Sequence, residues 1–108
     1  MFYNVILTDG AVVDLEEIIQ YIDLHSVDGR ADHVLTEMEK MFTSLSELPE
    51  RGKHPKELLA LGNRDFREIH FKPYRIIYRV IGSKFYVFLI ADSRRDMQAL
   101  LQRRLLQC

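Results

Sequence analysis

The amino-acid sequence predicts an α+β domain, on three observations. Apolar residues repeat with helical spacing through two segments of the first half. Strand alternation replaces that period in the second half, around a Gly-Ser dipeptide suited to a hairpin. A short β-rich run stands in front of both. The expected architecture is an N-terminal strand, an antiparallel helical hairpin and a three-stranded antiparallel β-meander, with a short C-terminal helix. The first strand joins the meander into one sheet. At 108 residues the chain is one domain, 1–108, large enough to bury a core without disulfides or metals.

Residues 2–8, FYNVILT, read as the first strand. Alternation puts Tyr3, Val5 and Leu7 on one face and Phe2, Asn4 and Ile6 on the other, as a covered strand would have. Thr8 or Asp9 can cap a helix carrying Asp14, Glu16 and Glu17, which favour the positive end of its dipole. Ala11, Leu15, Ile18, Ile19 and Ile22 give it a single apolar stripe. After a break at His25 to Gly29, a second helix is expected from about Arg30 to Leu48, stopped by Pro49. Its apolar face is Ala31, Val34, Leu35, Met38, Phe42 and Leu45. So short a connection makes the pair an antiparallel hairpin. Residues 49–63 hold two Pro and two Gly and read as a loop with one helical turn at Glu57 to Leu61.

Asp65 to Phe71 is the next strand and Lys72-Pro73 a turn. Tyr74 to Ile81 and Lys84 to Asp92 are strands around Gly82-Ser83, with glycine first as a type II′ turn requires. That loop sets an expected register in which Ile81 faces Lys84, Arg79 faces Tyr86 and Arg75 faces Ile90. One face then collects Tyr74, Ile76, Tyr78, Val80, Phe85, Val87, Leu89 and Ala91, and is the better seat for the helical hairpin. The other collects Arg75, Ile77, Arg79, Tyr86, Phe88 and Ile90. Asp96 to Leu106 reads as the terminal helix, apolar at Met97, Leu100, Leu101 and Leu105.

Composition excludes several classes. With 47% hydrophobic residues the chain is not mainly disordered. No apolar run approaches the ~20 residues of a membrane span, and MFYNVILTDG lacks a basic flank and a cleavage site, so the cytoplasm is the expected location. Cys108, the one cysteine, cannot make an internal disulfide or a zinc cluster. The net charge of −1 hides a division: residues 1–50 hold 11 Asp+Glu against 2 Lys+Arg, and residues 51–108 hold 5 against 13. One acidic and one basic surface would follow, the basic one suited to nucleic acid or an acidic protein, unless folding intermingles the charges.

The mixed sheet face carries the chemistry. Arg75 and Arg79 stand beside Tyr86 and Phe88; Arg67 lies on the preceding strand, and Arg94-Arg95 follows the last one. Guanidinium groups among aromatic rings suit phosphate recognition with base stacking, or a protein interface, or a half-exposed sheet with snorkelling arginines. His25, His33, His54 and His70 show no metal-ligand spacing, so neither metal nor cofactor is expected. Glu16, Glu17, Glu37 and Glu39 read as a solvated helical face.

A family resemblance follows from particular residues. Leu7-Thr8, Ala11, Asp14-Leu15-Glu16-Glu17-Ile18 and Tyr21-Ile22 resemble the first strand and helix of RelE/ParE-type toxins of type II toxin–antitoxin modules. Leu48-Pro49-Glu50-Arg51-Gly52-Lys53 resembles the end of their second helix and its loop. Arg67-Glu68-Ile69 with Tyr74-Arg75-Ile76-Ile77-Tyr78-Arg79-Val80 is the most specific part, and Ser93-Arg94-Arg95-Asp96 with Leu100-Leu101 completes it.

The resemblance implies one of two activities. RelE-like members cleave mRNA on the ribosome through attack of a 2′-hydroxyl on the adjacent phosphate, which needs a proton acceptor, a donor and cations. ParE-like members poison DNA gyrase. Arg75 matches an arginine that the nucleases use on phosphate, and Arg94 or Arg95 can match another. The lysine pair of the nucleases is replaced by Asp65, Arg67 and Ile69, their C-terminal tyrosine by Leu101, and no Glu-plus-His pair stands out. The gyrase-directed toxin is therefore the favoured expectation, with the endoribonuclease and an inactive or scaffolding domain as alternatives. Arg67, Arg75, Arg79, Arg94 and Arg95 are its candidate target-binding residues. A cognate antitoxin, DNA-binding at its N-terminus, is expected to cover Arg75, Ile77, Arg79, Tyr86 and Phe88.

Overall fold

The computed structural model describes residues 4–25, 29–48 and 50–106. The expected roles of Phe2 and Tyr3 in the first strand, of Pro49 as a helix stop and of Cys108 lie outside those residues. Along the chain run β1 (Asn4–Leu7), α1 (Asp9–His25), α2 (Arg30–Glu47), α3 (Lys56–Leu59), β2 (Arg67–Phe71), β3 (Tyr74–Ile81), β4 (Lys84–Asp92) and α4 (Met97–Leu101). A π-helical turn, Gln102–Leu106, continues α4.

The four strands form one sheet in the order β1-β4-β3-β2. β1 runs parallel to β4, and the other two pairings are antiparallel. Thr8 is the cap of α1, its Oγ1 accepting the Ala11 amide at 3.3 Å. Gly82 has φ +62° and no non-glycine among the described residues has positive φ, which fits a type II′ turn and excludes type I′.

The helical hairpin covers the expected face. Ala11, Met38, Phe42 and Leu45 close a core with Ile69, Ile76, Tyr78, Phe85, Val87 and Ile90. Ile90 corrects the expected register. Arg79 pairs with Tyr86 as the turn dictates, but between Tyr78↔Val87 and Ile77↔Leu89 the ladder slips, so Arg75 faces Ala91 and not Ile90. Phe88 is the extra residue of a β-bulge. Beyond it β4 exchanges its faces: Ile90 joins the hairpin side, and Leu89 and Ala91 join the other. A period-2 count from the turn cannot register an inserted residue.

The second face is not half open. α3 and α4 roof it with Leu58, Met97, Leu100 and Leu101, packed on Ile77, Leu89, Ala91 and Phe66. This second core also explains why Phe88 and Leu89, neighbours in sequence, both serve one side.

At the end of β1 the edge of β4 would be bare. The Thr8 amide makes the last backbone bond there, to the Val87 carbonyl at 3.0 Å. Side chains then continue the ladder. The Ile90 amide donates to Asp14 Oδ2 at 3.0 Å, and Arg104 donates to the Phe88 carbonyl at 3.1 Å. Arg104 also binds both Asp14 oxygens at 3.0 Å, so one pair ties α1, β4 and the terminal turn together. Such a plug satisfies backbone groups that an unprotected sheet edge would present.

Candidate functional site

Glu68 and His70 alternate onto the α3 side of β2, because Arg67, Ile69 and Phe71 take the hairpin side. His70 stands opposite Arg75 in the ladder. The loop before β2 is fastened to this edge. Lys53 and Glu68 exchange backbone bonds at 3.1 and 2.7 Å, and the Gly52 amide donates to the Tyr78 hydroxyl at 2.9 Å. That fastening brings Glu57 of α3 over the strand.

Arg75 is the centre of the cluster, and it is buried, at 6% exposure. Its Nε donates to Glu68 Oε1 at 2.6 Å, and its two Nη atoms form a fork on Glu57 at 2.8 Å each. The fork holds the Glu57 carboxyl down at about 2, against the opposing effect of burial. The hydrogen bond to Glu57 is also the largest influence raising the Arg75 guanidinium, joined by Glu68. One cation thus meets two carboxylates, a formal balance of −1.

Glu68 also lies 3.5 Å from His70 Nε2, a Glu–His contact that the sequence did not reveal. The signal was their i, i+2 spacing on one strand. A cavity of about 330 Å³ adjoins the cluster and is lined also by Lys53, His54, Lys56 and Ser93. Among the described residues no group of three or more His, Cys, Asp or Glu could hold a metal ion.

The other candidates take different places. Arg67 donates to the Gly52 carbonyl at 2.8 Å and helps fasten the loop. Arg79 lies over the Phe66 ring at 5.8 Å, a cation–π contact, half-buried beside Tyr86 and Phe88. Ile77 is fully buried, so its expected exposure, like that of Arg75, is corrected by the roof of α3 and α4. Arg94 is exposed but forks back onto Asp92 at 2.9 and 2.6 Å, and this bond holds the Asp92 carboxyl at about 2. The Arg95 guanidinium is exposed and makes no ion pair or hydrogen bond within the described residues. The sequence spacing brings five arginines together; the structure distributes them, and it adds Glu57 and Glu68 as partners of Arg75 and a separate pair, Asp14 with Arg104.

The four-stranded mixed sheet carries a helical hairpin on one face and, on the other, a polar cluster beneath α3, and the chain is a RelE/ParE-superfamily toxin of a type II toxin–antitoxin system. Within that class, the family model of the ParE toxin of the type II toxin–antitoxin system parDE matches residues 5–97, and the chain belongs to this family. A cognate antitoxin is the partner such membership implies. Among solved structures, the chain is similar to one from the chromosomal ParDE toxin–antitoxin system of P. aeruginosa. They share 17% identity over 84% of this chain and 96% of that one, with TM-score 0.69. It is also similar to the E. coli toxin RelE, a double arginine-to-alanine mutant in the free state, at 17% identity over 97% and 100%, TM-score 0.63. These two likenesses bear on the fold. No curated protein sequence matches the chain. No helix among the described residues is long and apolar enough to cross a membrane.

Proposed function

We propose that this toxin inhibits bacterial growth by binding and poisoning DNA gyrase, and that its cognate antitoxin neutralises it. The observation that carries the reading is the state of Arg75. RNA cleavage by a neighbouring 2′-hydroxyl builds negative charge on the phosphate, which unpaired cations must meet. Arg75 is already committed to Glu57 and Glu68, so a phosphate arriving there would have to displace a carboxylate from it. Binding a protein target asks no chemistry of this cluster. In this reading Arg95 is the accessible target-binding cation, and Arg79 with Tyr86 is the part of the arginine face still open to a partner.

A second reading, a ribosome-dependent mRNA endoribonuclease, is favoured by one feature: Lys53, His54, Lys56 and His70 surround the small cavity beside Glu68. Induction in a bacterium, followed by parallel assays of gyrase supercoiling and of mRNA integrity on ribosomes, separates the two. Inhibited supercoiling with intact mRNA is expected. Cleaved mRNA with unaffected gyrase would overturn the proposal. Unimpaired growth with soluble, folded protein would leave an inactive or scaffolding domain.

A further inference from the structure

The roof of α3 and α4 covers Phe66, Ile77, Leu89 and Ala91, with Phe88 at its margin. Toward the Gly82-Ser83 turn the same sheet face is open. There the ladder sets Ile6 of β1, Tyr86 of β4 and Arg79 of β3 in one row. The row faces away from the helical hairpin, because Val5, Val80 and Phe85 take the hairpin side. Ile6, Tyr86 and Arg79 are each half-buried, as is Phe88, whose ring centroid lies 6.3 Å from that of Tyr86. Lys84, exposed, closes the open end at the turn.

This end of the face carries positive charge with no counterpart. Among the described residues Arg79 and Lys84 have no ion-pair or hydrogen-bond partner, and neither has the Tyr86 hydroxyl. The Arg79 guanidinium rests over the Phe66 ring, a contact that leaves its donors unused. β1 and β3 contain no Asp or Glu, and in β4 Asp92 stands at the far end. Asp65, just before β2, makes no ion pair. Aromatic rings and unpaired cations on an open sheet surface fit a ligand with flat π-faces and regularly spaced negative charge. Unpaired nucleotides have both, whereas a duplex hides its base faces in the stack. An acidic peptide would satisfy the cations and leave the rings without a partner of their kind.

We propose that the open end of the sheet face binds single-stranded DNA, with a base stacked on Tyr86 and phosphates on Arg79 and Lys84. The choice of DNA over RNA rests on the gyrase reading, because that target holds DNA; the platform itself needs no gyrase. It adds a second hold to the toxin's action, on the nucleic acid of its target as well as on the protein.

The test titrates the purified full chain, without gyrase, into a fluorescein-labelled oligothymidylate of about 12 nucleotides, read by anisotropy. Circular dichroism checks the fold of each variant. Tyr86→Ala is expected to weaken binding about tenfold, and Tyr86→Phe, which keeps the ring, to restore most of it. Arg79→Gln with Lys84→Gln should weaken binding and lower the slope of log affinity against log salt by roughly 1.4, the share of two phosphate contacts on a single strand. A duplex of the same length should bind more weakly, and single-stranded RNA no more tightly than DNA. No binding by the wild type, or unchanged affinity in folded Tyr86→Ala, would overturn the platform. Equal affinity for the duplex would reduce it to phosphate attraction, and tighter binding of RNA would overturn DNA as its occupant. Polyglutamate that displaces the oligonucleotide at equal charge concentration would give the surface to an acidic protein and overturn the proposal. Failure of any of these arms leaves the gyrase reading to its own supercoiling assay, and uninhibited supercoiling would fail that reading without altering the measured DNA binding.

Discussion

Replacing Arg75 by alanine tests whether the central arginine is a binding group or a structural one. The Arg75 side chain is 8% exposed, and its partners Glu57 and Glu68 are 13% and 3% exposed. Alanine would leave the buried Glu68 with only the 3.5 Å contact to His70, and Glu57 without its fork. Breaking a buried ion pair from one side costs about 3–5 kcal/mol. Small domains hold only about 5–15 kcal/mol in total, so the loss is a large share. With a urea slope of about 1.5–2 kcal/mol per molar, the midpoint should fall by roughly 2 M without a change in slope. Arg75→Lys should fall between, since a point charge replaces one fork and one additional bond. Converting all three residues to apolar ones (Arg75→Met, Glu57→Leu, Glu68→Leu) should restore most of the stability, because the stranded charges are gone. Equilibrium urea unfolding followed by circular dichroism reads all of this. A loss below about 1 kcal/mol in Arg75→Ala would refute the structural reading and return the residue to the surface.

The same cluster predicts an acid limit. Glu57 rests at about 2 in the folded chain against 4.5 unperturbed, so its contribution is complete above pH 4.5 and is lost as pH falls from there toward 2. The loss should be about 3 kcal/mol by linkage, and Glu57→Gln should flatten that part of the stability–pH curve. At the sheet edge, Arg104→Ala should destabilise by about 2–3 kcal/mol, because Asp14 and the Phe88 carbonyl lose their donor. A Cβ on Gly10 would collide with the Arg104 guanidinium. Gly10→Ala should therefore be neutral or harmful in the wild type but stabilising by about 0.5–1 kcal/mol in Arg104→Ala, a sign reversal that thermal unfolding can read. Arg95→Ala should reduce growth inhibition without lowering the unfolding midpoint; full toxicity in that variant would remove Arg95 from target binding.

Much of this fold is written in local periodicity, and the reading fails where a distant residue decides. The two helical stripes, the Thr8 cap and the Gly82-Ser83 turn depend on neighbours within one or two turns, and the structure keeps them as expected. The bulge at Phe88 does not. It answers to the second core, where Leu89 and Ala91 must meet α3 and α4. Its effect reaches Arg75, whose ladder partner it changes. The coverage of the arginine face is hidden for a similar reason: α3 is one short turn, and its Glu57 is 18 residues from Arg75. Asp14 and Arg104 are 90 residues apart, beyond any spacing argument.

The division of charge between the two halves carries the same lesson toward function. It is a count of signs, and the fold decides which charges remain available. Within the basic half, Glu57 and Glu68 neutralise Arg75, and Asp92 holds Arg94. Across the halves, Asp14 holds Arg104, while Arg67 is taken up by loop carbonyls. An arginine bound in this way has little left to offer a partner, because a new anion must displace a carboxylate that is already in place. Among the described residues Arg30, Lys72 and Arg95 have no such competitor, and they line one cleft on the hairpin side of the sheet. In this molecule the cations without a competing carboxylate therefore lie away from Arg75, the arginine that the sequence made most conspicuous.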